Sequence, residues 1–105
     1  MSNDFDPFDL RGQEAAKAEL AHAEKLAKIN ESEDLKWLMS NKRGRRFMWL
    51  LLERCGVNRQ SFNHSGSIMA FNEGARTVGL MEQKKLLTVC PELYMTMLTE
   101  ALTND

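Results

Sequence analysis

The sequence predicts an all-α protein: a small helical domain of four to five helices with an alanine-rich N-terminal helical arm. Apolar residues in the second half of the chain recur at the three- and four-residue spacing of a helix. Residues that favour helix ends flank the longest apolar run. The first third of the chain is rich in alanine, the strongest helix former.

The charge distribution divides the chain into two parts. The 105 residues are enough for one modest hydrophobic core, and their formal net charge is −1. Residues 1–34 carry nine acidic and four basic side chains, and residues 35–105 have a net charge of +4. We therefore expect an acidic N-terminal segment with an alanine-rich helix over 1–34 and a helical core domain over 35–105. Opposite charges predict that the two parts attract each other or face separate partners.

The first nine residues, MSNDFDPFD, are acidic and show no periodicity. Two interpretations stay open. The segment is a disordered terminus, or it is a docking peptide that places Phe5 and Phe8 in pockets of a partner.

The alanine-rich helix is predicted over residues 10–29, with Asp9 as its N-cap and six alanines along its length. Residues 30–34 are polar and predict a break. A short helix over residues 33–39, capped by Ser32, would then turn Leu35, Trp37 and Leu38 inward.

The helix predicted over residues 42–55 is the expected centre of the fold. Residues 47–52, FMWLLL, are apolar on every side of a helix, which indicates burial all round, with Trp49 and Leu51 in the core. Asn41 is a favourable N-cap, and Gly56 is favourable just past the C-terminal end. A strand is the alternative, but leucine and methionine outnumber β-branched residues here, which favours a helix.

A polar loop is predicted over residues 57–67, followed by a helix over 68–89. Gly74 and Gly79 each weaken that helix by about 1 kcal/mol relative to alanine, so we expect another backbone to approach closely at both. Pro91 ends this helix and opens the last one, over residues 92–102.

Four cations stand within five residues at the start of the helix predicted over 42–55: Lys42, Arg43, Arg45 and Arg46. Cations in a first turn oppose the helix dipole, so an anion should offset them. Three interpretations stay open: a solvated or internally paired cluster, a contact for a protein partner, and a nucleic-acid-binding patch. Glu73 is the first candidate for an internal partner of Arg45 or Arg46.

A second polar group, Asn72, Glu73 and Arg76, interrupts the apolar stripe of the helix over 68–89 and predicts a structural polar network. No carboxylate or histidine stands near Glu73 in sequence, so catalysis is not expected there. His22 and His64 lack metal-ligand spacing, and Cys55 and Cys90 are expected to be buried and reduced. Neither phosphate-binding nor nucleophile motifs occur. We therefore expect neither an enzyme nor a metal or cofactor site, and no apolar run suits a membrane span.

The order of several motifs resembles a family of small tailed-phage (podovirus) proteins named after a structural protein of a Bordetella phage. The similarity covers about residues 35–98. The matching residues are Trp37, Leu38, Met39, Gly44, Arg45, Arg46, Phe47, Leu51, Leu52, Glu53, Gly56, Phe71, Asn72, Glu73, Gly74, Arg76, Gly79, Pro91, Glu92, Leu93 and Tyr94. The family pattern often has Asp-Pro before its GRRF element, where this chain has Asn41-Lys42, and either pair can open a helix.

The resemblance implies a virion structural or head-assembly protein that acts through contacts with other phage proteins, in the virion or the host cytoplasm. It implies no catalytic residues, and self-association is compatible with it. The alternative function is a small helical nucleic-acid-binding protein that uses the basic cluster at 42–46.

Overall fold

The computed structural model describes residues 8–103, which fold into four α-helices without a strand in that range. The helices are α1, Leu10–Met39; α2, Lys42–Cys55; α3, Gly66–Val89; and α4, Pro91–Thr103. The predicted all-α class is confirmed. Pro91 opens α4 as expected, because its missing N–H needs no partner in a first helical turn.

The chain divides into two compact units, Met1–Ser32 and Glu33–Asp105. In the first unit, α1 starts after Asp9, whose Oδ1 accepts the N–H of Gly12 at 3.0 Å, as predicted for its N-cap. Side chains from residue 14 to residue 31 are exposed, including Leu20 and Leu26. The alanine content, rather than the burial of an apolar stripe, therefore stabilises this part of the helix.

The predicted break at residues 30–34 is wrong, because α1 continues to Met39 without interruption. Residues 30–34 contain neither glycine nor proline. Each of their polar residues weakens a helix by less than about 0.7 kcal/mol, whereas a break would lose backbone hydrogen bonds and require a new helix nucleus. The short helix predicted over 33–39 is the last part of α1. Leu35 is buried and Leu38 packs against the core, but Trp37 is 73% exposed, so its predicted inward placement is wrong.

The ends of α2 follow the local sequence signals. Asn41 Oδ1 accepts the N–H of Gly44 at 2.8 Å. Gly56 has φ 79°, in the left-handed region that glycine adopts without a steric penalty. The N–H of Gly56 bonds to the carbonyl of Glu53, and the N–H of Val57 bonds to that of Leu52. This is a Schellman arrangement, and it satisfies two carbonyls at the helix end.

The core of the second unit is built from all four helices and the segment after α2. Its buried residues are Leu35, Met39, Met48, Leu52, Val57, Leu86, Cys90, Tyr94 and Met97. Tyr94 is buried with its hydroxyl satisfied, since its Oη accepts Gln83 Nε2 at 2.8 Å and so links α4 to α3. Cys55 is half-buried, Cys90 is buried, and both are free thiols.

The predicted burial of α2 on every side is wrong. Its buried residues are Gly44, Met48 and Leu52, which lie four apart on one face. Phe47, Leu50 and Leu51 expose 57%, 47% and 37% of their surface. Trp49 is half-buried and packs against the core. The other helices of this unit therefore cover one side of α2, and Leu51 lies at the edge of the uncovered part.

The predicted close approach is confirmed at Gly79 and wrong at Gly74. A Cβ on Gly79 would lie 2.6 Å from Cys55 Cβ and Val57 Cγ2, so α3 meets the end of α2 there. Around a Cβ on Gly74, no atom of the described residues beyond its own stretch of α3 lies within 4 Å. A tighter contact, not predicted, occurs at Gly44, where a Cβ would overlap the Leu38 carbonyl oxygen. This contact requires glycine in the first turn of α2, where it meets the end of α1.

Within residues 8–103, none of the helices combines the length and apolar character needed to cross a membrane.

Candidate protein-contact surface on α2

Arg45, one of the four clustered cations, is held inside the fold. Its Nε and Nη2 donate to the two carboxylate oxygens of Glu100 at 2.8 and 2.9 Å. Its Nη1 donates to the Met39 carbonyl at 2.9 Å, which satisfies an oxygen in the last turn of α1. The two side chains are only 12% and 21% exposed. Arg45 therefore connects the end of α1, α2 and α4, and it is not available to an outside ligand.

The ion pair changes the acidity of both groups. Hydrogen bonds from Arg45 lower the pKa of Glu100, and the positive charges of Arg45 and Lys42 lower it further, against the opposing effect of burial. The hydrogen bond to Glu100 raises the pKa of Arg45. Both groups are thus fully charged at neutral pH. A bidentate arginine–carboxylate pair fixes both planes, so it also sets the orientation of α4 against α2.

The anion that offsets the cationic first turn of α2 is therefore Glu100, and the predicted pairing of Arg45 or Arg46 with Glu73 is wrong. Sequence analysis missed Glu100. A weak signal was present, because Glu100 follows Met97 by three residues and so continues the apolar stripe of α4. A carboxylate in such a position indicates a buried or half-buried partner.

The other three cations of the cluster, Lys42, Arg43 and Arg46, are exposed, and none forms an ion pair within the described part of the chain. Lys42 and Arg46 border an open cleft of about 310 Å³ between α2 and α4. The remaining lining residues are Arg45, Trp49, Met97, Glu100 and Ala101. The cleft thus presents two available cations beside an indole ring, with its carboxylate already neutralised by Arg45.

The exposed side of α2 forms a continuous surface, which we call the α2 outer face. It consists of Arg43, Arg46, Phe47, Leu50, Leu51 and Arg54. These positions follow the spacing i, i+3, i+4, i+7, i+8, i+11, so they share one side of the helix. Three large apolar side chains are bordered by three arginines that form no ion pair among residues 8–103. Sequence analysis missed Arg54 and assigned the apolar residues to the core.

The three residues of the predicted polar network lie close to one another on α3, and two of them, Asn72 and Glu73, share Ser61 of the preceding loop as a partner. Ser61 Oγ donates to Glu73 Oε2, and Asn72 Nδ2 donates to the Ser61 carbonyl at 3.5 Å. Arg76 Nη1 lies 3.8 Å from Glu73 Oε1, while the buried Arg76 Nε has no hydrogen-bond partner among the residues that the structure describes. These groups connect the loop to α3. Sequence analysis did not include Ser61.

Of the two predicted docking anchors, Phe5 lies outside the described residues. Phe8 is described, and its side chain is 88% exposed. Among residues 8–103, no group of three or more histidine, cysteine, aspartate or glutamate side chains is arranged to hold a metal ion.

The comparisons with known proteins agree with the motifs in residues 35–98. No curated protein and no solved structure matches the chain. A family model described as "Bbp19-like phage protein" matches residues 35–99, which is more than half of the chain and includes α2, α3 and most of α4. The chain therefore belongs to the Bbp19-like phage protein family.

Proposed function

We propose that this protein is a non-enzymatic structural or head-assembly component of a phage, and that it acts through protein–protein contacts made by the α2 outer face. The proposal puts it in the virion or, during assembly, in the host cytoplasm. The observation that carries it is the exposure of Phe47, Leu50 and Leu51 side by side on a helix whose other side is packed. Membership of a phage protein family supports a role in a phage.

The composition of the α2 outer face favours a protein partner. Contiguous exposed apolar side chains are unfavourable in water, and they mark interaction sites when polar residues surround them. Aromatic residues and arginine are enriched in protein interfaces, and they carry much of the binding energy. Phe47 and Arg46 are adjacent on this surface, and both are exposed. A complementary partner surface would present apolar side chains among carboxylates.

Nucleic-acid binding by the basic cluster is the second candidate function. Lys42, Arg43 and Arg46 favour it, because they are exposed and form no ion pair among residues 8–103. However, Arg45 is already neutralised by Glu100, so three cations remain from the predicted four. Phosphate contacts also leave Phe47, Leu50 and Leu51 exposed, because a phosphate backbone offers them no apolar surface. Protein contact accounts for both the charged and the apolar part of the face.

The test is incorporation into particles. The variant F47S/L51S removes two apolar side chains from the α2 outer face, and M95S is the matched control, because Met95 is 57% exposed on α4. Each would be produced in the host cell with the remaining genes of the encoding phage. Mass spectrometry would then measure the copies per purified particle. We expect F47S/L51S to be lost from particles or assembly intermediates, and M95S to be retained.

Two controls make the result decisive. Circular dichroism and the melting temperature must show that F47S/L51S is folded, which we expect because both side chains are exposed. Incorporation of folded F47S/L51S at the wild-type copy number would contradict the proposal. The nucleic-acid alternative predicts a different result: duplex DNA binding with a log–log salt slope near −0.9 for each phosphate contacted, lost in R43E/R46E.

A further inference from the structure

We propose that the α2 outer face of one molecule binds the N-terminal segment, residues 1–9, of a second copy of the same chain. The inference rests on the proposed function, because both assign protein contact to the α2 outer face, and it names the partner. Residues 1–9 and the α2 outer face are complementary in apolar character and in charge.

Both the N-terminal segment and the α2 outer face carry large apolar side chains that can be buried against each other. The N-terminal segment carries two phenylalanines three residues apart, Phe5 and Phe8. Phe8 exposes 88% of its surface. The α2 outer face offers Phe47, Leu50 and Leu51, also exposed, as an apolar stripe about one helical turn long. Burial of two phenylalanine rings on that stripe would remove apolar surface of both partners from water.

The charges of the two surfaces are opposite. Three aspartates accompany the phenylalanines: Asp4, Asp6 and Asp9. Three arginines border the apolar stripe: Arg43, Arg46 and Arg54. Asp9 Oδ1 also caps α1, by accepting the N–H of Gly12. The segment therefore has the chemistry expected of a partner for the α2 outer face, aromatic side chains interleaved with carboxylates.

A contact between two different surfaces of the same chain is heterologous. Each molecule then offers one segment and one face, so the contact repeats from copy to copy. Such repetition gives a closed ring when the rotation between neighbours closes, and an open filament when it does not. Either assembly suits a component present in several copies of a particle.

The binding step is tested with a synthetic peptide of residues 1–9, labelled with a fluorophore, and with full-length F5S/F8S protein. That variant keeps the α2 outer face but lacks the phenylalanines that would compete with the peptide. We expect saturable binding by fluorescence anisotropy. A peptide with both phenylalanines replaced by serine should bind about tenfold more weakly or worse, since apolar anchors dominate such contacts. Binding should also weaken as salt increases, through screening of the carboxylate–arginine pairs.

Charge reversal shows where the peptide binds. R43E/R46E, made in the F5S/F8S protein, should lose binding, whereas K84E should retain it, because Lys84 is an exposed cation on α3. A peptide carrying D4K and D6K should bind R43E/R46E better than it binds the unchanged face. Equal binding of the wild-type peptide to R43E/R46E would overturn the proposal.

Self-association of the full chain is measured by sedimentation velocity over a range of concentrations. We expect wild-type protein to form species larger than a monomer in a concentration-dependent way, and F5S/F8S and F47S/L51S each to remain monomeric. Monomeric wild-type protein at concentrations well above the peptide Kd would overturn the proposal.

Particle incorporation distinguishes a failure of this inference from a failure of the proposed function. If F5S/F8S self-associates and enters particles as the wild type does while F47S/L51S does not enter, the inference fails and the proposed function stands. If both variants enter at the wild-type copy number, the proposed function fails as well.

Discussion

Arg45 and Glu100, 55 positions apart in the chain, are joined by two parallel hydrogen bonds of 2.8 and 2.9 Å. The same guanidinium also donates to the Met39 carbonyl. The pair therefore converts a cation that opposes the α2 dipole into a connection between three helices. Its low exposure distinguishes it from the i,i+3 pairs on α1 and α3, which lie in more exposed positions and contribute little.

The first prediction concerns this pair. Arg45→Ala and Glu100→Ala should each lower the melting temperature, because each leaves a partly buried charge without its partner. The double variant should lose clearly less than the sum of the two losses, as measured by chemical denaturation. The matched control pairs Arg46→Ala with Glu100→Ala. Arg46 borders the same cleft but forms no ion pair within the described part of the chain, so those effects should add. Additivity of the Arg45 and Glu100 effects would show that the pair does not contribute.

The second prediction concerns pH. In the unfolded chain Glu100 titrates near its ordinary pKa of 4.5, whereas in the folded protein Arg45 lowers the pKa of Glu100. The unfolded state therefore takes up the proton first as pH falls. Stability from the pair is complete above that ordinary pKa and is lost as the pH drops through the folded-state value.

Urea unfolding at a series of pH values tests this. The difference in unfolding free energy between wild type and Glu100→Gln should be largest near neutrality and should shrink as the pH falls through the ordinary pKa of 4.5 towards the lowered folded-state pKa. A difference that stays constant over this range would contradict the assignment of the lowered pKa to Glu100.

The third prediction contrasts two glycines of the same helix. Gly79→Ala should destabilise by about 1–3 kcal/mol, because the new methyl group would meet Cys55 Cβ and the stiff, buried Val57 side chain. Gly74→Ala should stabilise by up to about 1 kcal/mol, because the site is open and alanine favours a helix. Thermal and urea unfolding give both values. Effects of the same sign at the two positions would mean that the contact of α3 with the end of α2 is misplaced.

The fourth prediction contrasts two neighbouring leucines. Leu52 is 2% exposed and lies in the core, so Leu52→Ala should cost about 2–5 kcal/mol of unfolding free energy. Leu51 is 37% exposed on the α2 outer face, so Leu51→Ala should cost about 1 kcal/mol or less. A larger loss at Leu51 than at Leu52 would restore the prediction that α2 is buried all round.

Helix ends were predictable from the sequence because their signals act over four residues or fewer. Asn41 caps α2 by accepting the N–H of Gly44, and Gly56 ends α2 in the left-handed conformation. Pro91 opens α4 because its ring fixes φ at a helical value. Helix propensity and apolar spacing likewise fixed the all-α class. The break expected at residues 30–34 shows the limit of such signals, because weak helix formers do not interrupt a helix when continuation keeps its hydrogen bonds.

The phage family was also accessible from the sequence, because its motifs are runs of neighbouring residues in a fixed order. Tertiary structure alone decided which side of α2 is packed and which carboxylate meets Arg45. An apolar run such as residues 47–52 is compatible with burial on every side, and the helices packed on α2 determine how much is covered. Glu73 and Glu100 carry the same charge, and only the placement of α4 against α2 brings Glu100 within hydrogen-bonding distance of Arg45.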